Sequence, residues 1–399
     1  MPGHKGNSRF LPSDLARLDL TELPGLDCLQ DPSGAILETE KFIAQIYGAS
    51  KSFLLVNGSS SGIIAAICAL ASPGETVVMP RDSHASIYRG IIASGAKVIY
   101  ITKKISAKTI KDAIRNNKTK LVVITSPSYL GECLDVKEIS KITQAYGAAL
   151  LVDAAHGAHF PFCSEFPVHP IKLGATAAVS SFHKTLPAFS SVAALHISKT
   201  APDEGRFREF INLNQTSSPS YMAICALDYT LRLLWENPIF FEEYLELLNN
   251  ARKKLEPKLY KIREPYDKTK ITLKRPKNPI NNIDFELETE EYVLALTTVA
   301  DTREGFERLI KTFENAEILE KKPKKKAFFI PPYFMSMRES YTSSAINIEL
   351  EKALGRVSAE IVAPVPPGIP IIVPGEIITF EILKILRKIR KTIRVIKNK

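Results

Sequence analysis

The chain has no apolar run of 18 residues, which argues against a membrane-spanning helix. Its first residues, Met1-Pro2-Gly3-His4-Lys5-Gly6-Asn7, lack the apolar core of a secretory signal, so the expected location is the cytoplasm. Cysteine is scarce: Cys28, Cys68, Cys133, Cys163 and Cys225 are five in number, widely spaced and without a Cys-x-x-Cys pair, against a disulfide framework or structural zinc. Internal repeats and low-complexity tracts are absent. Acid falls short of base, 43 Asp and Glu against 53 Lys and Arg, and the excess is concentrated. Lys321, Lys322, Lys324, Lys325 and Lys326 form one run, and residues 384–399 hold eight more basic side chains. Ile382, Leu386, Ile389, Ile393 and Ile396 would make one apolar stripe on a basic tail helix. A solvated loop and helix face is preferred here to a nucleic-acid or membrane surface.

What is present is enough for a large core: 399 residues, 45% of them hydrophobic. From Lys51 to Asp153 strand and helix patterns alternate. Strands are expected at Ser52–Val56, Thr76–Met79, Lys97–Ile101, Leu121–Ile124 and Ala148–Val152, and helices at Ile63–Leu70, Ser86–Ser94, Ala107–Asn116 and Val136–Tyr146. Continuous apolar strands between helices predict an α/β fold with a mainly parallel sheet, functional loops gathering at the strands' carboxyl ends. Tyr221–Glu236 and Phe240–Lys258 read as long helices, and Glu264–Pro279, charged and proline-punctuated, suits a domain junction. The expected division is an N-terminal arm over 1–30, a large domain over 31–265 and a smaller C-terminal α+β domain over 266–399. The proline-rich Val362–Gly375 has apolar residues in every gap and is expected to pack as a stiff segment near the cleft.

The chemistry centres on Ser180-Ser181-Phe182-His183-Lys184-Thr185-Leu186, in which Lys184 follows Asp153 by 31 residues. Lysine is ordinarily a solvated surface residue. Lys184, however, lies between the uncharged runs Ala175–Ser181 and Leu186–Ile197, where a charge is costly unless used or neutralised. Pyridoxal phosphate enzymes hold their cofactor as a Schiff base on one lysine and keep its pyridine nitrogen protonated with one acid at a strand end. Lys184 and Asp153 fit those two roles.

Asn57-Gly58-Ser59-Ser60-Ser61-Gly62, between a strand and a helix, offers N–H groups and hydroxyls to an anion. Alone such a turn is commonplace; beside Lys184 and Asp153 it becomes a phosphate cradle. His84, after the next strand, either stacks on the pyridine ring or is a plain hydrogen-bonded loop residue. Ala155, two residues past Asp153 on the same strand face, would pack on the other ring face, and His156 follows it. His156, His159, Cys163 and His169 also invite a metal reading. Their segment follows a strand and no carboxylate or cysteine pair completes the set, so no metal is expected.

On these strings the chain resembles the Orn/Lys/Arg decarboxylase family, the aminotransferase-fold (fold type I) pyridoxal phosphate decarboxylases, in short form. The resemblance extends over Pro2–Gly6, Asp19–Asp27, Asn57–Ile63, Val152–His159, Ser181–Ala188, Gln215–Tyr221 and Ala353–Glu376. It implies Lys184 as Schiff-base lysine, Asp153 on the pyridinium nitrogen and His84 on the ring. It further implies Ser60, Ser61, Ser181 and His183 around the phosphate, and Thr216 or Ser217 reaching the cofactor of a partner subunit in a homodimer or larger homo-oligomer. The chain departs from the family at Ala85, where a basic residue is usual, and at Leu26-Asp27-Cys28-Leu29-Gln30-Asp31. The implied reaction is decarboxylation of arginine, lysine or ornithine to the amine in polyamine metabolism, with Glu360 or Glu376 as the carboxylate for the substrate's distal cation. Open alternatives are a transaminase, for which Arg356 would receive a second carboxylate, another lyase of the same fold, or a non-catalytic paralogue.

Overall fold

The computed structural model describes residues 5, 18–20, 22, 23, 25–319 and 330–397. Most of the 1–30 arm, including all of Pro2–Gly6 but Lys5, and the Lys321–Lys326 run lie outside the described residues. The elements begin with α1 (Ala35–Tyr47), β1 (Lys51–Leu55), α2 (Gly58–Leu70), β2 (Thr76–Pro80), α3 (Ala85–Ser94), β3 (Lys97–Ile101) and α4 (Ala107–Ile114). They continue with β4 (Thr119–Thr125), α5 (Val136–Ala145), β5 (Ala149–Asp153), β6 (Ala177–Ser181), the single turn α6 (Phe182–Thr185) and β7 (Ala193–Ile197). Strands β1 to β7 form one sheet in the order β1-β7-β6-β5-β4-β2-β3. β2 runs parallel to β3 and β4, and β7 is antiparallel to β1 and β6. The expected alternation holds to within a residue or two at nearly every boundary.

Contacts divide the chain into two interleaved units, 1–62 with 125–137 and 152–324, and 63–124 with 138–151 and 325–399. In the first, α7 (Glu204–Asn214), α8 (Tyr221–Glu236) and α9 (Ile239–Leu255) follow the sheet strands. Next come β8 (Lys270–Lys274), β9 (Leu287–Glu288), β10 (Tyr292–Leu296) and α10 (Arg303–Glu314), with the small sheet ordered β8-β10-β9. One core joins Ile43, Tyr47 and Phe182 to Leu227, Leu248, Ile271, Val293 and Phe313. The buried faces of β8 and α10 thus share a core with α8 and α9, a grouping that the charged composition of 264–279 does not reveal.

The Leu26–Asp31 segment has a structural task. Asp27 accepts from the N–H groups of Cys28, Ser33, Gly34, Ile36 and Leu37 at 2.8–3.2 Å, anchoring the start of α1. Burial works against its ionisation, but these donors prevail and hold the carboxyl below its ordinary range.

The second unit ends with α11 (Met337–Thr342), β11 (Ala345–Glu349), α12 (Phe380–Leu386) and β12 (Thr392–Ile396). Here the expectation of one long tail helix is corrected. The helix stops at Leu386 and the chain returns as β12, antiparallel to β11, with Ile393 and Val395 fully buried against Ile382 and Leu386. Thr392, Ile393, Val395 and Ile396 are β-branched, and their alternating burial is a period of two that overrides the apparent helical stripe. Val362–Gly375 packs at its ends, where Val362 and Ile372 bridge and Val373 is buried, while its tip at Val365 is 83% exposed.

Candidate active site

The sheet brings the carboxyl ends of β1 and β6 to one level, because Ala193 at the start of β7 is paired with both Leu55 and Ser181. β5 joins them through Ala154, whose N–H donates to the Val179 carbonyl at 3.0 Å. Four sequence-predicted groups therefore converge in the first unit: the first turn of α2, Asp153, Ala155–His156 and the α6 turn carrying Lys184.

Gly58 opens α2 with φ +77°, and its N–H donates to the Ser191 carbonyl at 2.7 Å. Ser59, Ser60 and Ser61 occupy the first turn, where helix N–H groups have no partner in the helix itself. Ser61 donates its hydroxyl to the Gly58 carbonyl at 2.8 Å. Gly62 lets this helix lie directly on the sheet, since a Cβ there would stand 2.4 Å from Leu55 Cδ1 and 3.2 Å from Val179 Cγ1. Asp153 is buried at the end of β5, and its Oδ1 accepts from the Ala155 N–H at 3.2 Å.

Lys184 Nζ lies 3.3 Å from His156 Nε2. His156 Nδ1 in turn lies 3.0 Å from Lys270 Nζ. Lys270 is fully buried in β8 and escaped the sequence reading. Burial lowers its ammonium to about 8, with Asp267 opposing that shift and Lys184 adding to it. Asp267 accepts from the Thr269 N–H and hydroxyl and pairs with His159 at 3.3 Å. Tyr129 sets its ring edge-on to His156, centroids 5.1 Å apart, and donates to Glu286 Oε1 at 2.5 Å, bringing a carboxylate to the cluster. A signal for Lys270 existed in the sequence: it starts the apolar alternation Ile271, Leu273, inside the charged, proline-punctuated stretch that suits a domain junction.

His183 Nδ1 sits 3.4 Å from Ser181 Oγ, and burial pushes the imidazole below its usual range. Beneath α6, Ser180 Oγ meets His169 Nε2 at 3.1 Å and His196 Nε2 at 3.2 Å, and desolvation holds both imidazoles in the neutral form. Among the described residues no group of three or more His, Cys, Asp or Glu is placed to hold a metal ion. His156, His159 and His169 face lysines, Asp267 and Ser180 respectively. Thr216 and Ser217 are exposed, and the Thr216 N–H donates to Asn57 Oδ1 of its own chain at 3.4 Å, next to the α2 turn. Ser220 caps α8, accepting from Ala223 N–H at 3.3 Å.

In the second unit His84 caps α3, its Nδ1 accepting from the Ser86 N–H at 3.2 Å and lying 2.8 Å from Ser86 Oγ. Gly368 presses on the same ring: a Cβ at that glycine would come within 2.6 Å of Cδ2 and Nε2. Glu376 is fully buried and bidentate to Arg81, at 3.1 Å to Nε and 2.9 Å to Nη2, and accepts the Val373 N–H at 2.9 Å. Glu360 pairs with Arg390 at 3.0 Å and accepts the Arg394 N–H. Arg356 donates to the Ile396 carbonyl at 2.7 Å. Of these three only Glu376 has its whole carboxylate engaged in the interior.

The donor set of the first unit suits pyridoxal phosphate: an amine for its aldehyde, a buried carboxylate for its ring nitrogen, and a hydroxyl-rich helix N-terminus for its phosphate. The family model "Orn/Lys/Arg decarboxylase, major domain" matches residues 2–301, and "Orn/Lys/Arg decarboxylase, C-terminal domain" matches 330–396. "Uncharacterized protein YaaO" of Bacillus subtilis is 32% identical over 98% of this chain and 90% of its own. The arginine decarboxylase of Bacillus anthracis is 28% identical over 97% and 89%. Among solved structures, lysine decarboxylase A from Pseudomonas aeruginosa superposes with a TM-score of 0.80 at 19% identity, over 100% of this chain and 78% of that one. Sphingomonas wittichii serine palmitoyltransferase gives 0.55 at 18% identity over 69% and 74%, placing the shared fold in the aminotransferase class. No helix among the described residues is long and apolar enough to cross a membrane.

Proposed function

Given that this chain belongs to the Orn/Lys/Arg decarboxylase family, we propose that it decarboxylates a basic amino acid, arginine first among the three, with pyridoxal phosphate as cofactor. The observation that carries the proposal is the cluster in which Lys184 meets His156 beside the strand end that carries Asp153. Bound there, pyridoxal phosphate would supply the electron sink for the Cα–carboxylate bond as CO₂ leaves.

The chain's own residues do the rest. Lys184 would hold the cofactor covalently and yield to the substrate's α-amine. Asp153 would keep the proton on the ring nitrogen, a task suited to a buried carboxylate. The α2 N-terminus with Ser59, Ser60 and Ser61 would bind the phosphate, joined by Ser181 and His183. His84 and Ala155 would flank the ring, a role for which family membership is the support. Lys184 and His84 are the acids proposed to return a proton to Cα. For the substrate's distal cation we favour the exposed Glu286, held by Tyr129 beside His156, over Glu376, whose carboxylate is buried against Arg81, with Glu360 as the second candidate. Arginine ranks first because several relatives of near-full-length match are named arginine decarboxylases.

Purified protein supplied with pyridoxal phosphate and arginine, lysine or ornithine should release CO₂ and the matching amine. Lys184→Ala should abolish both turnover and borohydride-reducible attachment of the cofactor. Attachment that persists in that variant removes Lys184 from its role. Amino-group transfer without CO₂ would favour the transaminase alternative.

A further inference from the structure

Lys270 is a buried amine of the cluster to which the proposed function gives no task. Its Nζ is fully buried and its hydrogen-bond partner is an imidazole nitrogen, His156 Nδ1, at 3.0 Å. The other nitrogen of the same ring is 3.3 Å from Lys184 Nζ. Packing alone does not call for an ammonium: a methionine is similar in length and would avoid the desolvation cost. The backbone around Lys270 is tightly set, a Cβ at Gly131 standing 3.2 Å from Lys270 Cδ, so the side chain is aimed at the ring by its surroundings.

We propose that Lys270 is a positioning residue for Lys184: acting through His156, it takes up the proton Lys184 must lose before its amine can attack the cofactor's aldehyde. The inference rests on the reading of Lys184 given above. With Lys184 charged, it donates to His156 Nε2, and Nδ1–H donates to a neutral Lys270. When Nε2 takes the proton from Lys184, Nδ1 passes its own to Lys270. One proton has then moved between the two lysines, the imidazole has exchanged tautomers, and the total charge is unchanged. Lys270, with its ammonium lowered to about 8 by burial, is suited to both states near neutral pH. Asp267, itself held by His159 and Thr269, favours the charged one.

The test uses the full chain freed of cofactor. Pyridoxal phosphate is added across a pH series, the adduct is reduced with borohydride, and the peptide carrying Lys184 is quantified by mass spectrometry. In Lys270→Met and in His156→Phe the pH of half-maximal attachment should rise by roughly one to two units, because Lys184 must then lose its proton to solvent rather than to an acceptor whose ammonium burial has lowered to about 8. Lys270→Arg, a permanent cation that cannot take up the proton, should fail to restore the wild-type profile, whereas a lysine acting by charge alone would be replaced by it. A merely structural lysine would lower thermal stability in the methionine variant and leave the pH profile in place. Profiles of Lys270→Met and His156→Phe superposable on wild type overturn the proposal, and if the methionine variant does not fold, His156→Phe decides alone. Attachment at a different lysine in the wild-type chain overturns the active-site reading and this inference together.

Discussion

A buried carboxylate at a strand end can serve structure or charge, and substitution separates the two. Asp153 makes one hydrogen bond to backbone, from Ala155 N–H to Oδ1, which an asparagine carbonyl would also accept. Asp153→Asn should therefore fold and bind the cofactor, but it should lose more than about tenfold in turnover, or 1.4 kcal/mol of barrier. Single-turnover CO₂ release measures it; activity within tenfold of wild type would give Asp153 another task. Glu376 presents the opposite case. Its carboxylate is bidentate to buried Arg81, so Glu376→Ala should destabilise the fold by about 3–5 kcal/mol, the cost of leaving a buried guanidinium unpaired. Urea denaturation reads this directly. A stable Glu376→Ala protein with a raised KM would return Glu376 to the substrate.

At the scale of elements, the strands and helices from Lys51 to Asp153 were legible because each is short, apolar and closed by a turn residue. The Lys184 turn was legible for a different reason, as a charge inside an uncharged stretch. Lys270 was not, because it falls with Asp267 and Lys268 in a charged, proline-punctuated stretch that suits a domain junction, although Asp267 and Lys270 are buried. The tail misled through a coincidence of periods: isoleucines at 389, 393 and 396 fit a helix as well as a strand. The two readings differ in what they expect of each isoleucine. Ile393 is fully buried and Ile389 is 49% exposed, so Ile393→Ala should cost about 2–4 kcal/mol and Ile389→Ala less than about 0.5. Equal costs would restore the helical stripe.

For the molecule as a whole, we propose that Thr216 or Ser217 completes the site of a second copy, as the family resemblance implies. Mixing Lys184→Ala chains with a Thr216/Ser217 double variant, each inactive alone, should then restore activity, because a hybrid dimer holds one intact site. No recovery, with hybrids confirmed by mass, would mean that each chain builds its site alone. One contact also dictates when the chain can finish folding. Arg81 and Glu376 are 295 residues apart in sequence. During synthesis at about 5–20 residues per second, roughly 15–60 s pass between the emergence of one and the other. Over that interval the β2–α3 corner must keep its guanidinium in water or lend it to a chaperone. The 63–124 segment therefore cannot complete this buried pair until translation has passed residue 376, and a chain stopped short of it should leave the β2–α3 corner easier to cleave.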